Sequence, residues 1–144
     1  MKMTPVSPDA RAALARELTA AGLPVDDLGE PARQFFRFED EAGLIGYGGI
    51  EGIGADRLLR SVVVVSARRH TGLGGPLVTA LERAAADDGA CALYLLTTTA
   101  EPFFRHIGYA PAERSNAPAA IAGSAEFSTL CPASAAFLVK HIVD

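Results

Sequence analysis

The sequence predicts a mixed α+β sheet domain, and three observations predict it. From Arg57 to Val65 the chain reads as a strand: Leu58, Leu59, then four consecutive valines. A continuous apolar run of this kind implies burial on both faces, hence a central strand. Pro76 to Asp88 next carries Leu77, Leu81, Ala84 and Ala85 on one helical face, and Ala92 to Thr97 is a second short apolar strand. A strand–helix–strand step crosses over right-handed and makes its two strands parallel. Upstream, Gln34–Glu39 and Leu44–Ile50 flank the turn Asp40-Glu41-Ala42-Gly43 as an antiparallel hairpin.

The remaining elements follow from local signals. Ser7-Pro8-Asp9 opens a first helix: Ser7 as cap, Pro8 at the first helical position, Asp9 on the positive end of the dipole. Leu14 and Leu18 mark its buried face and Gly22 stops it. Leu23 to Pro31 is a connector, and Gly52 to Asp56 a turn. Thr98 or Thr99 caps a helix over about Ala100–Ile107, which Gly108 closes in a left-handed conformation. Tyr109 starts a strand, followed by an irregular Pro/Ala segment to Ser124. Glu126 to Cys131 reads as a last strand, and Ala133 to Ile142 as a C-terminal helix after Pro132.

Composition narrows the function classes. At 144 residues the chain reads as a single domain over 1–144. Hydrophobic residues make up 49%, with 27 alanines and no Trp, so the bulky core is mostly aliphatic and disorder is excluded. The net charge of −4 argues against nucleic acid as a partner. Cys91 and Cys131 make neither a disulfide framework nor a zinc motif, so no metal is expected. No apolar stretch reaches ~18 residues, the length that spans a bilayer, so no membrane partner is expected. The N-terminus lacks the apolar run of a signal peptide, so the expected compartment is the cytoplasm.

Chemistry concentrates in one loop. The apolar strand ending at Val65 feeds Ser66-Ala67-Arg68-Arg69-His70-Thr71-Gly72-Leu73-Gly74-Gly75-Pro76, and a helix begins at once. Glycine-rich backbone amides and the positive end of a helix dipole form an anion site. From Arg57 to His70 there are four arginines and no acid, inside an acidic chain. A phosphate or pyrophosphate suits such a site. No Lys follows the glycines, so this is not a P-loop, and the third glycine of a dinucleotide fingerprint is missing.

Arg69-His70-Thr71-Gly72-Leu73-Gly74 resembles the R/Q-x-x-G-x-G/A signature of the GCN5-related N-acetyltransferases (GNAT), which likewise follows a buried strand and opens a helix. Phe103 to Tyr109 resembles the next helix of that family, ending in aromatic-x-x-x-Gly-aromatic. More narrowly, Leu95 to Phe104, Arg114 with Ala117-Pro118, Glu126-Phe127 and Leu130-Cys131-Pro132 resemble the arsenic-resistance N-acetyltransferases. The resemblance implies the GNAT fold: a mostly antiparallel sheet with one parallel strand–helix–strand unit flanked by helices. It implies acetyl-CoA as the cofactor, with its pyrophosphate on the amides of Arg69, His70, Thr71, Gly72, Leu73, Gly74 and Gly75, assisted by Arg68. The pantetheine arm would pair with Val63, Val64 and Val65 like an added strand, next to Thr98 and Phe104. The Val64 N–H would polarise the thioester carbonyl. A neutral amine would then attack directly, the protein chiefly supplying orientation.

The resemblance also has a gap. Many members use a Tyr as general acid four residues before the closing Gly, where this chain has Phe104. Tyr109, Cys131 or water is left for that task. Glu51, ending the hairpin strand beside the central one, is the first choice of general base, with Glu101 and Glu126 behind it. Arg60 and Arg114, with Cys131, are the candidates to meet the substrate. The implied reaction is acetylation of a small-molecule amine, an arsenical or toxic amino-acid analogue under the narrower resemblance. Phe104 keeps a non-catalytic acyl-CoA sensor as the alternative, and protein acetylation is a third reading. A homodimer is expected by analogy of fold.

Overall fold

The computed structural model describes residues 1–143. Its strands are β1 (Lys2–Pro5), β2 (Arg33–Asp40), β3 (Gly43–Glu51), β4 (Asp56–Val64), β5 (Ala92–Thr97), β6 (Ala110–Pro111) and β7 (Ala136–His141). They form one seven-stranded sheet in the order β1-β2-β3-β4-β5-β7-β6. Neighbours are antiparallel except for the parallel β4–β5 pair. The helices are α1 (Arg11–Ala20), α2 (Gly74–Asp87), α3 (Glu101–His106) and α4 (Ala119–Ala122). The expected hairpin, central strand and parallel crossover are all present.

The two sheet faces carry separate cores. Leu77, Val78 and Leu81 of α2 and Phe104 of α3 pack on Phe38, Ile45, Leu59 and Leu95. Leu14 and Leu18 of α1 pack on Phe35, Tyr47 and Val63 across the other face. Ile121 of α4 extends that second layer over Leu58 and Phe137. Both faces of β4 are therefore covered, as its valine run requires.

Four expectations differ from the structure. β1 is an additional edge strand, pairing Lys2–Pro5 with Glu39–Phe36; it is short and ends in a Pro, features that suit an edge. Ser7 makes no side-chain cap, and the first helix opens as a 3₁₀ turn over Pro8–Ala10. Glu126–Leu130 is not a strand but a π-helical turn, closed by Cys131 N–H donating to the Glu126 carbonyl at 3.0 Å. The C-terminal segment is not a helix but β7, paired residue for residue with β5 from Ala92↔His141 to Thr97↔Ala136. The alanines at 133, 135 and 136 favour a helix, but Phe137 and Leu138 bury on opposite faces of a sheet that would otherwise end at β5. Tertiary pairing overrides propensity here.

Two irregularities of β4 position the site. The β3–β4 register slips between Tyr47↔Val63 and Gly49↔Arg60, so β4 holds one extra residue. Ser61 sits at this bulge with φ +57°. The slip changes which residues share a face: Leu59, Val62 and Val64 contact the α2 side, while Val63 joins the α1 core. Second, β4 and β5 pair only over Asp56–Leu58 and Ala92–Tyr94. Beyond Leu58 the two strands part. At the far end of β3, a Cβ on Gly46 would collide with the Val63 carbonyl. We expect Gly46→Ala to cost about 1–3 kcal/mol through overpacking of β3 on β4. Denaturant unfolding checks this, and an unchanged midpoint would refute the close approach.

Candidate active site

The parting of β4 and β5 opens a cleft of ≈ 390 Å³. Val63, Val64, Arg69, Phe104, Glu126 and Cys131 are among its lining residues. Val65 N–H donates back to the Ile45 carbonyl of β3 at 2.9 Å. The alternation of an antiparallel ladder turns the peptide groups of Val63 the same way and those of Val64 the opposite way, toward the cleft. The Val64 carbonyl confirms that direction, because it accepts from Arg69 Nε at 2.9 Å. Of the three valines expected at the cofactor, Val64 is thus the one with a free amide.

One end of the cleft is the glycine loop. His70 (φ +62°) and Gly72 (φ +78°) bend the chain into the start of α2. The amides of His70 to Gly75 donate to no group among the described residues. They crowd at the N-terminus of a 14-residue helix, with the exposed Arg69 alongside. This is an anion cradle, and the residues present fit a pyrophosphate. Arg68 does not belong to it. Its guanidinium is drawn to Asp40, at 2.5 and 3.0 Å, and to the carbonyls of Gly43 and Leu44, away from the amides it was expected to assist.

The other end is lined by charge. Arg60 is fully buried and gives every N–H direction to the protein. Nη1 reaches Asp27 at 2.6 Å and Glu51 at 2.7 Å. Nη2 reaches Asp27 at 2.7 Å and lies 3.1 Å from Glu126, and Nε donates to Ser61. Arg33 adds a second cation, 3.0 Å from Asp27 and 3.5 Å from Glu51. Burial would raise the Asp27 pKa, but the hydrogen bonds and charges of Arg60 and Arg33 hold it below the usual carboxylate range. Glu126 goes the other way. Burial pushes its pKa up to about 7, the attraction of Arg60 opposes this, and repulsion from Asp27 and Glu51 adds to it. Asp27 and Arg33 escaped the sequence reading because a connector acid and a strand-start arginine carry no motif.

Other expected residues fall in different places. Glu51 is buried, pairs with both Arg60 and Arg33 through Oε1, and is not among the residues that line the cleft. The Tyr109 hydroxyl donates to Glu82 on α2 at 2.9 Å, with Lys140 against its ring; burial and Glu82 raise its pKa, and it does not line the cleft. Arg114 donates to the carbonyls of Pro132 and Ala135 and stacks on Phe127, pinning the chain after the π turn rather than facing a substrate. Thr98 does not cap α3: Thr97 Oγ1 accepts from Ala100 N–H instead. Thr98 and Thr99 line a recess of ≈ 240 Å³ that continues the cleft past Cys131. Burial, then the Glu126 charge, pushes the Cys131 thiol up to about 11, so it keeps its proton.

The family model of the acetyltransferase (GNAT) domain matches residues 31–111, more than half of the chain. The chain belongs to the GNAT acetyltransferases. Those residues run from β2 through the glycine loop to β6, so the match covers the parted strands and the cradle. As a GNAT enzyme it draws on acetyl-CoA. Solved structures share the fold. An aminoglycoside 6'-N-acetyltransferase complexed with coenzyme A is 18% identical, with TM-score 0.73 over 100% of this chain and 98% of that one. A GNAT-family acetyltransferase of Staphylococcus aureus is 13% identical, with TM-score 0.77 over 98% of each chain. The N-acetylglutamate synthase of Neisseria gonorrhoeae, complexed with coenzyme A and L-arginine, is 14% identical with TM-score 0.77; 97% of this chain spans only 32% of that one. A search of curated proteins gives no match. For this GNAT domain the Arg60 knot makes a stability claim. Arg60→Met leaves Asp27, Glu51 and Glu126 buried with no cation of their own beyond Arg33, and should cost about 3–5 kcal/mol in thermal or urea unfolding. A loss near zero would mean the knot is open to water.

Proposed function

We propose that this GNAT domain N-acetylates the amine of a small molecule. The observation that carries the proposal is the open edge of β4, with the Val64 N–H on it and the amide cradle at its end. Bound acetyl-CoA supplies the acetyl thioester. The amides of His70 to Gly75 and the Arg69 guanidinium hold its pyrophosphate. The free edge around Val64 takes the pantetheine arm as a strand takes a neighbour. Val64 N–H polarises the thioester carbonyl, a role in which one donor is worth about 3–4 kcal/mol in hydrolases. Phe104, buried and in the lining, excludes water from this region. Cys131 lines the same cleft, but burial and the Glu126 charge make its thiol a weaker proton donor than an ordinary thiol, so the departing thiolate takes the proton that the attacking nitrogen sheds.

The recess beyond Cys131 supports a small acceptor by its ≈ 240 Å³. The resemblance to arsenic-resistance acetyltransferases suggests an arsenical or toxic amino-acid analogue. Against it, Arg60 and Arg114 are both committed to groups of the protein and offer an acidic acceptor little. Phe104 favours one second reading, an acyl-CoA sensor without turnover. A thiol-release assay with acetyl-CoA and a panel of amines, arsenicals included, separates the two. Turnover is expected; coenzyme A binding with no turnover on any amine would establish the sensor.

Binding tests the cradle separately. Arg69→Ala should weaken coenzyme A by about tenfold, the loss of roughly one charge-assisted contact. Arg68→Ala should leave the affinity unchanged, because its partner is Asp40. Gly72→Val should abolish binding, since a β-branched residue resists φ +78° and closes off the amides. Calorimetry reads all three, and equal effects at Arg68 and Arg69 would refute the assignment.

A further inference from the structure

We infer that Glu126, presented by the π-helical turn, is the catalytic base of this domain, and that Asp27 positions its charge through Arg60. The inference rests on the N-acetyltransfer reading above. Three independent observations carry it. Glu126 is one of the cleft-lining residues, alongside Val64 and Cys131. Among the described residues no side chain donates a hydrogen bond to its carboxylate, and its one ion pair is with Arg60 Nη2 at 3.1 Å. Yet every fully buried polar side-chain atom among the described residues has a hydrogen-bond partner. The oxygens of Glu126 therefore reach the cleft, although the residue is only 4% exposed.

The π turn explains why this residue and not a neighbour. Ser124 anchors the approach: its hydroxyl donates to the Ile121 carbonyl and accepts from Phe127 N–H. The wide turn then closes from Glu126 to Cys131, and Arg114 holds the exit at Pro132 and Ala135. π turns recur at functional sites, because the extra residue aims a side chain that a regular helix would not. Glu51, the other carboxylate at this end, pairs with both cations and is not among the residues that line the cleft.

The charges facing Glu126 are Arg60 from β4, Asp27 from the connector before β2, Arg33 from β2, Glu51 from β3, and the Cys131 thiol. Two cations serve three carboxylates. The knot is thus one negative charge in excess when all are ionised, which favours a proton on the member nearest the cleft. An ammonium entering the recess supplies one. Glu126 takes a proton from R–NH₃⁺ and later releases it to water. The neutral amine attacks the thioester: the C–N bond forms, the C–S bond breaks, and the nitrogen's second proton ends on the coenzyme A sulfur.

The test compares wild type, Glu126→Gln and Asp27→Asn. In wild type, kcat/KM should rise with a limb near the Glu126 value of about 7. Glu126→Gln should lose that limb and drop kcat by about 10²–10⁴-fold, the usual span of general base catalysis, with coenzyme A affinity unchanged. Asp27→Asn removes a repelling charge and loosens Arg60 toward Glu126, so the limb should move to lower pH; a merely structural role would leave it in place. A titration by NMR of the coenzyme A complex, ¹³C-labelled at glutamate carboxyls, reads the same group without an acceptor and without the Gln variant. Near-wild-type kcat in Glu126→Gln, a Glu126 titration in the ordinary carboxylate range, or no shift in Asp27→Asn would each overturn the inference while leaving acetyl transfer intact. Failure of the wild type to bind coenzyme A would overturn both.

Discussion

One buried guanidinium organises the charged end of the cleft. Arg60 has no exposed side-chain surface and joins Asp27, Glu51 and Glu126, from three separate segments. Desolvating that many charges is expensive, and an apolar replacement of a whole buried knot is often neutral or stabilising. The knot is therefore poor evidence for stability and better evidence for something that an apolar core cannot do. What it does here is split its carboxylates. Asp27 is held ionised by two arginines, and Glu126 is left with a shared cation and a raised proton affinity. Environments that push neighbouring carboxylates apart are how one site obtains a group poised for proton transfer.

The knot depends in turn on the irregular central strand. Without the extra residue at Ser61, Arg60 and Val63 would lie on opposite faces of β4, and the alternation of the strand would reverse beyond the bulge. With it, Arg60 reaches the carboxylates on the α1 face while Val62 and Val64 keep contact with the α2 side. The same strand loses its β5 partner after Leu58. That departure removes ladder hydrogen bonds, which a sheet does not do cheaply. The unpaired edge is where an extended ligand can supply what β5 does not. Bulge and split are two halves of one arrangement: one orients side chains beneath the cleft, the other opens backbone along it.

Legibility in the sequence followed the range of the interactions involved. The hairpin, the valine strand, the crossover helix and the glycine loop are written in contiguous residues, so periodicity and turn chemistry revealed them. The C-terminal third is written in long-range pairing. Ala133 to Ile142 carries helix-favouring alanines, and only the free edge of β5, some forty residues earlier in the chain, makes it a strand. Glu126 to Cys131 alternates like a strand, and only Arg114 and the Ser124 hydroxyl show it to be a turn. Glu51, at the end of the hairpin strand beside the central one, stands out in the sequence as a base, whereas the placement of Glu126 in the cleft lining is visible only in the folded chain. Arg68 shows the same effect of range: beside Arg69 in sequence, it pairs with Asp40, 28 residues away.

The charge pattern along the cleft ties these pieces together. The chain is acidic overall, but the cleft is not uniform. At the glycine loop, unpaired amides, a helix start and Arg69 make the potential positive. At the π turn, three carboxylates outnumber two arginines and Asp26 adds an acid to the recess. A polyanionic donor and a cationic amine would each be drawn to a different end by fields that a low-dielectric cleft focuses. Val64 lies between the ends, with its amide on the open edge. Under the proposed acetyl transfer, the carbonyl to be polarised and the ammonium to be deprotonated would meet between the two ends, where neither field excludes the other. Uniform charge of either sign would attract one reactant and repel its partner, and so the arginines that the sequence offers as acceptor ligands are instead buried or turned away.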